Sequence, residues 1–240
     1  MYDLTQRQIE ILKHIVKEYT DTAEPIGSET LEKKHDLGVS PATIRNEMAA
    51  MSKSGYLKKA HSSSGRIPTS KAIKFYINEL MREKELSVAD EVEAKENVWD
   101  LREKEDQFLR AATKSLSGRT KTLAVTTTQE GDIYFSGYSN ILEMPEFFDI
   151  DVTKNLLNIL DHIEYFEEIF RRLDDACVVF LDDDLGEELL RPYSFVFSKF
   201  KTKKNNQGSI GIIGPARLQY ESIVPTVRYF SNMVSEVGDW

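Results

Sequence analysis

The chain has one cysteine, Cys177, in 240 residues, so an internal disulfide is excluded, and no second thiol or close histidine pair stands near it to build a zinc site. No stretch approaches 18 consecutive apolar residues, which excludes a membrane-spanning helix. The first residues, Met-Tyr-Asp-Leu-Thr-Gln-Arg, have neither the basic nor the apolar segment of a secretory signal. The expectation is a soluble cytoplasmic protein with no membrane partner. Catalytic patterns are also missing. His14, His35, His61 and His162 are scattered, with no nucleophile at recognisable spacing. Asp182, Asp183 and Asp184 read as a solvated turn rather than a metal site. Gly208, Gly211 and Gly214 do not open a helix in a βαβ unit, so they read as strand and turn glycines and not as a dinucleotide loop. Cys177, within Ala-Cys-Val-Val-Phe-Leu, reads as a buried inert thiol. No cofactor, no metal and no enzymatic activity are expected.

What is present is an ordinary globular composition, 40% hydrophobic and 10% aromatic, at a length that allows one large domain or two modest ones. The net charge of −9 argues at first against a nucleic-acid partner, but the layout reverses that. Residues 1–82 hold 13 Lys and Arg against 10 Asp and Glu, a net +3, which leaves −12 for residues 83–240. From Gly38 to Arg82, eight basic residues face only Glu47 and Glu79, a local +6. A basic module is attached to an acidic body.

Along the chain, Thr5 and Gln8 form a capping box ahead of Ile9, Leu12, Val16 and Tyr19 at helical spacing. Ser28 is the expected cap of a short second helix ending near Gly38, and Ser40 that of a third, with Pro41 at its first position. Residues 56–69 suit a hairpin. From Ser70 the pattern is helical to about Leu116, with Val98, Leu101, Phe108 and Ala112 as a weak stripe in a solvated linker helix. Beyond that, extended segments near 122–128, 132–138, 177–181, 193–201 and 209–213 alternate with helices over 152–172 and 221–237, an α+β pattern. The expected organisation is a winged helix-turn-helix domain (1–82), a helical linker (83–118) and an α+β domain (119–240).

The first module points to DNA. With Ile44, Met48 and Met51 as the buried stripe of the third helix, a rotation of about 100° per residue puts Ala42, Asn46, Ala49 and Lys53 on the opposite side, with Arg45 beside them. Small alanines let a helix approach base edges, while Arg pairs bidentately with guanine and Asn with adenine. Lys58, Lys59 and Arg66 on the hairpin would meet phosphates and fix register. Ser40 and Thr43 at the helix start and His61 in the hairpin loop complete the candidate DNA-binding set.

Four runs, Leu4-Thr5-x-Arg7-Gln8, Glu24-Pro25-Ile26-Gly27-Ser28, Ser40-Pro41-Ala42-Thr43-Ile44-Arg45-Asn46-Glu47-Met48 and His61-Ser62-Ser63-Ser64-Gly65-Arg66-Ile67-Pro68-Thr69, resemble the winged-helix domain of the heat-inducible transcription repressors of the HrcA type. Ser139-Asn140-Ile141-Leu142-x-Met144-Pro145-Glu146-Phe147 and Gly208-Ser209-Ile210-Gly211-Ile212-Ile213-Gly214-Pro215-Ala216-Arg217-Leu218-x-Tyr220 resemble that family's GAF-like domain. The resemblance implies a repressor of chaperone genes that binds an inverted-repeat operator as a homodimer and depends on a GroE-type chaperonin. One departure stands out. Family members carry an inserted helical dimerisation segment, and here only about two dozen residues separate Leu116 from Asn140, so that segment is absent. Dimerisation is then expected through the C-terminal domain, with Phe147, Phe148, Tyr165, Phe166 and Phe170, and with the helix before it contributing. The alternative is a winged-helix regulator whose GAF-like domain senses a small molecule; a filled core would discount it and an uncovered apolar pocket would support it.

Overall fold

The computed structural model describes residues 4–59, 65–162, 164–166, 171, 177–181 and 193–240. The chain divides into two compact units, Met1–Arg82 and Glu83–Trp240.

In the first unit, helix α1 (Gln6–Thr22) starts with a reciprocal cap: the Thr5 hydroxyl accepts from the Gln8 N–H, and the Gln8 side chain accepts from the Thr5 N–H. Its buried stripe is Ile11, Leu12, Ile15 and Val16, with Ile9 and Tyr19 half-buried at the edge. Helix α2 (Ser28–Lys34) is capped by Gly27, not by Ser28, which lies inside the helix and is buried. The reason is Ile26, held extended by two backbone hydrogen bonds with Arg66 of the hairpin (2.8 and 2.9 Å), which brings Gly27 to the cap position. Gly38, at φ +63°, turns the chain into helix α3 (Pro41–Lys53). The Ser40 hydroxyl accepts from the Thr43 N–H at 3.3 Å, and Ile44, Met48 and Met51 are buried as the periodicity predicts. Strands β1 (Leu57–Lys59) and β2 (Arg66–Pro68) pair antiparallel, Lys59 opposite Arg66. Helix α4 (Ser70–Phe75), capped by Thr69, runs on as one π turn through Leu80. A single apolar cluster from Ile11 to Tyr76 holds these elements together. Gly65 enters β2 so close to Pro25 that a Cβ would lie 2.8 Å from the proline Cβ and 3.0 Å from its carbonyl, so the return of the wing requires glycine.

In the second unit, residues 83–118 are not one linker helix. Helix α5 (Val88–Trp99) begins at a Ser87–Asp90 capping box, and helix α6 (Glu105–Thr120) follows a turn. Val98, Phe108 and Ala112 of the weak stripe are buried because α6 packs on the sheet and α5 packs on α6. The sheet has five antiparallel strands in the order β4-β3-β7-β6-β5: β3 (Leu123–Thr128), β4 (Ile133–Ser136), β5 (Val178–Leu181), β6 (Tyr193–Lys201) and β7 (Gln207–Pro215). Side chains alternate between faces along each strand, and the register sets Phe180, Phe195, Ile213 and Leu123 in one row. That face is covered by α7 (Tyr138–Leu142), a 3₁₀ turn (Pro145–Phe148) and α8 (Ile150–Leu160), through Ile141, Phe147, Leu156 and Ile159. On the opposite face, the Thr113 and Thr126 hydroxyls meet at 2.7 Å under α6. Beside it lies α9 (Tyr220–Val237), with Val227, Phe230 and Val234 buried. The helix expected over 152–172 is not continuous: α8 starts earlier, at Ile150, and ends at Leu160 with Asp161 as its C-cap, and residues 164–166 are helical again after the break; 163, 167–170 and 172, like Asp182, Asp183 and Asp184, lie outside the described residues.

The run Ser139-Asn140-Ile141 has a structural account. Asn140 Nδ2 donates to the Thr122 carbonyl (3.0 Å) and to Ser117 Oγ (3.1 Å), and the Ser117 hydroxyl donates to that same carbonyl (2.9 Å). This ties the end of α6, the start of β3 and the start of α7 into one polar knot.

Candidate nucleic-acid interface

Helix α3 presents the face that the periodicity assigns. Ala42, Arg45, Asn46, Ala49 and Lys53 are exposed, while Ile44, Met48 and Met51 anchor the opposite side in the core. Arg45 Nη2 lies 3.9 Å from Glu29 Oε1, between side chains each about 70% exposed. Such a pair is worth about 0–1 kcal/mol and leaves the guanidinium able to turn to a ligand. Ser40 and Thr43 differ from the rest of the set: their hydroxyls lie 3.1 Å apart and are engaged in the helix cap.

The hairpin sorts its basic residues. Lys58 and Lys59 are both exposed, but neighbouring residues of a strand point to opposite faces, so they do not serve one surface equally. Lys59 is opposite Arg66 in the register and shares its face. Arg66 is half-buried: its Nε donates to Ser52 Oγ on α3 (3.2 Å) and its Nη1 to the Gly65 carbonyl (3.3 Å). In this way Arg66 braces the wing against the C-terminal turn of α3. His61 lies outside the described residues.

Glu18 links α1 to the end of α2. It accepts from Lys34 and from His35 (3.0 Å), and the ammonium of Lys34 holds its carboxyl below the usual range. The His14 ring lies over that of His35, with centroids 4.1 Å apart, and burial pushes the pKa of His14 down.

Sequence reasoning found Gln8 only as the cap of α1. The structure adds that its Nε2 donates to Glu47 Oε2 on α3 at 2.9 Å, while Arg7 Nη1 approaches Glu47 Oε1 at 3.4 Å. The signal was available: both Gln8 and Glu47 lie in the runs that carry the family resemblance. The bridge from Ile26 to Arg66 left no such trace, because a single backbone pair has no periodicity to read.

In the second unit, a groove of about 570 Å³ lies between α5 and α6, lined by Asp90, Glu93, Lys114 and Arg119 with small residues between them. It offers charges of both signs and no large apolar side chain. Burial pushes the Cys177 thiol up to about 12, which disfavours the thiolate. Among the described residues no cluster of histidine, cysteine, aspartate and glutamate has the arrangement of a metal site. Among them, too, no helix is long and apolar enough to cross a membrane.

With this geometry in place, two family models match the chain: "Winged helix-turn-helix transcription repressor, HrcA DNA-binding" over residues 3–82 and "HrcA protein C terminal domain" over residues 58–224. The chain belongs to the HrcA family. The heat-inducible transcription repressor HrcA of Carboxydothermus hydrogenoformans is 27% identical over 334 aligned positions that cover 98% of each chain. That of Clostridioides difficile is 26% identical over 336 positions, covering 97% of this chain and 99% of the relative. An alignment of 334 positions against 240 residues leaves at least 94 positions of the Carboxydothermus HrcA without a counterpart here, in keeping with the missing segment. Among solved structures, that of a hypothetical protein at 2.2 Å resolution superposes with a TM-score of 0.77 at 15% identity, covering 97% of this chain and 98% of that one, a likeness of fold. The HrcA relatives are named as repressors and not as enzymes.

Proposed function

We propose that the protein is a DNA-binding repressor of heat-shock genes, that it reads an inverted-repeat operator as a homodimer, and that its activity depends on a GroE-type chaperonin. The observation that carries the DNA-binding part is the exposed Ala42, Arg45, Asn46, Ala49 and Lys53 face of α3, backed by a buried stripe and flanked by the wing within a family of winged-helix repressors. Arg45 and Asn46 contact base edges, and Lys53 and one of the two wing lysines, Lys58 or Lys59, contact phosphates, while Ser40, Thr43 and Arg66 shape the surface. Cytoplasmic location and the absence of catalysis follow from that role. Mobility shift against the promoters of the organism's own chaperone genes tests the reading; no preference over random duplex rejects it.

The wing adds a refinement. Each phosphate neutralised contributes about 0.9 to the slope of log affinity against log salt. Because Lys58 and Lys59 lie on opposite faces of β1, the double substitution Lys58→Ala, Lys59→Ala should flatten that slope by about one unit, not two. A change of two units would place both at phosphates.

Chaperonin dependence is supported by the topology of the second unit. β3 pairs with β7, so Thr127 and Ser209, with hydroxyls 2.8 Å apart, must meet across a sequence separation of 82. Non-local pairing of this kind is slow and exposes apolar strands meanwhile. Refolding from denaturant with the chaperonin should return a larger fraction able to bind operator than refolding without it. Equal active fractions reject the dependence.

The dimer is supported by the layer over the sheet. Phe147 and Phe166 are core residues, 3% and 1% exposed, so they are not available to a partner, and Phe170 lies outside the described residues. Five other side chains of this layer are exposed: Tyr138, Leu142, Phe148 (70%), Ile150 (75%) and Leu157. Exposed apolar side chains gathered on one layer are a usual mark of an interaction surface. A second copy covers it, because a two-fold operator is read by two α3 helices related by the same symmetry.

A further inference from the structure

Helix α3 is held at three places along its length. At its start, Ser40 caps it. Near its end, Ser52 Oγ donates to the Met48 carbonyl (2.8 Å) and accepts from Arg66 of the wing (3.2 Å). At mid-helix the restraint is Glu47, which directly follows Arg45 and Asn46, on the flank between the buried stripe and the exposed face. Its carboxylate is engaged at both oxygens, Oε2 by Gln8 Nε2 (2.9 Å) and Oε1 by Arg7 Nη1 (3.4 Å), and its side chain is only 20% exposed.

Gln8 uses both ends of one amide. Its Oε1 accepts from the Thr5 N–H (3.0 Å), completing the cap of α1, and its Nε2 donates to Glu47. Since the cap fixes Gln8 to the first turn of α1, the donor cannot swing to follow Glu47; the carboxylate must come to it. A charge-assisted hydrogen bond from an immobilised donor adds to the non-directional packing of Ile44, Met48 and Met51 a directional restraint on the rotation of α3 about its own axis. Rotation is the coordinate that matters, because bidentate pairing with a base edge is lost when a planar group is turned out of register. Arg7 is 56% exposed, and its contact with Glu47 adds little by itself.

We propose that Gln8 and Glu47 form a positioning clamp that sets the rotation of α3, so that Glu47, without touching DNA, determines how far Arg45 and Asn46 discriminate the operator from other sequences. This rests on α3 being the reading helix. The clamp converts contact into selectivity. Removing it leaves the basic surface intact, so non-specific binding persists while specific binding falls.

The test uses the full chain and two probes: a duplex that the wild-type protein itself has selected from a random pool, and a scrambled duplex of the same length and composition. Glu47→Ala and Gln8→Ala should each lower the ratio of the two affinities about tenfold, and the double variant should be no worse than either alone, as expected of partners in one interaction. Glu47→Gln keeps an oxygen for Gln8 and should restore most of the ratio, which a merely structural loss would not show. Arg45→Ala runs alongside. If Arg45→Ala lowers the ratio and Glu47→Ala does not, or if the two single losses add, or if Glu47→Gln is as poor as Glu47→Ala, the clamp is wrong and the reading helix stands. If Arg45→Ala leaves the ratio unchanged, α3 is not the reader and both ideas fall together.

Discussion

Arg45→Ala and Asn46→Ala should each weaken binding to the operator by about 1–3 kcal/mol and leave binding to random duplex nearly unchanged. Both side chains are exposed on α3 at adjacent positions, and both lie away from the Ile44, Met48 and Met51 stripe, so their removal takes nothing from the core. The melting temperature should therefore hold while specificity falls. Two neighbouring contacts to neighbouring bases are coupled, so the double variant should lose less than the sum of the two. Quantitative footprinting or fluorescence anisotropy at fixed salt reads the outcome, because affinity compared across salt concentrations mixes in the phosphate contribution. Equal losses on operator and random DNA would show that these residues act as charge and bulk, and the reader would have to be sought on the wing.

Phe148→Glu combined with Ile150→Glu should convert the dimer to a monomer at micromolar concentration and weaken operator binding by roughly 100-fold, since two buried apolar contacts of hot-spot quality would each be replaced by a desolvated charge. The two side chains are 70% and 75% exposed in the single chain, so the variant should fold and melt like the parent. Sedimentation equilibrium with and without operator decides it. A second face needs the same treatment: Val88 (78%), Val92 and Trp99 are exposed along α5. If Val92→Glu gives monomers and the Phe148, Ile150 variant stays dimeric, the interface lies on α5. A parent chain that is monomeric in both conditions would remove the two-fold reading altogether.

Much of the first unit was legible because its signals are local. Thr5 with Gln8, Ser40 with Pro41, and the spacing of Ile44, Met48 and Met51 each specify a cap or a face within a few residues, and the exposed side of α3 followed from one rotation. Errors arose where a distant backbone decides. Gly27 rather than Ser28 caps α2 because Ile26 is paired with Arg66, forty residues on in the chain. The second unit shows the same division. Strand positions were readable from alternation, but the apparent continuity of residues 83–116 concealed two helices. Their apolar residues face a shared interior because α6 packs on the sheet and α5 packs on α6. Among the aromatics named for the dimer, Phe147 and Phe148 are adjacent in sequence and opposite in burial, a distinction that the 3₁₀ turn makes and composition does not.

The β3–β4 hairpin, finally, bears on how the chain could lose a long segment and keep its sheet. The two strands are laddered from Ala124 opposite Ser136 to Thr127 opposite Ile133, and the knot of Asn140, Ser117 and Thr122 fastens their open end. The entropy of closing a loop across ends already held together grows only as the logarithm of its length, by about 0.6 kcal/mol for each doubling. A tip clamped in this way is close to neutral toward insertion and deletion. Additional residues, such as some of those that the Carboxydothermus relative carries and this chain lacks, could come or go at such a place with little effect on the stability of the scaffold.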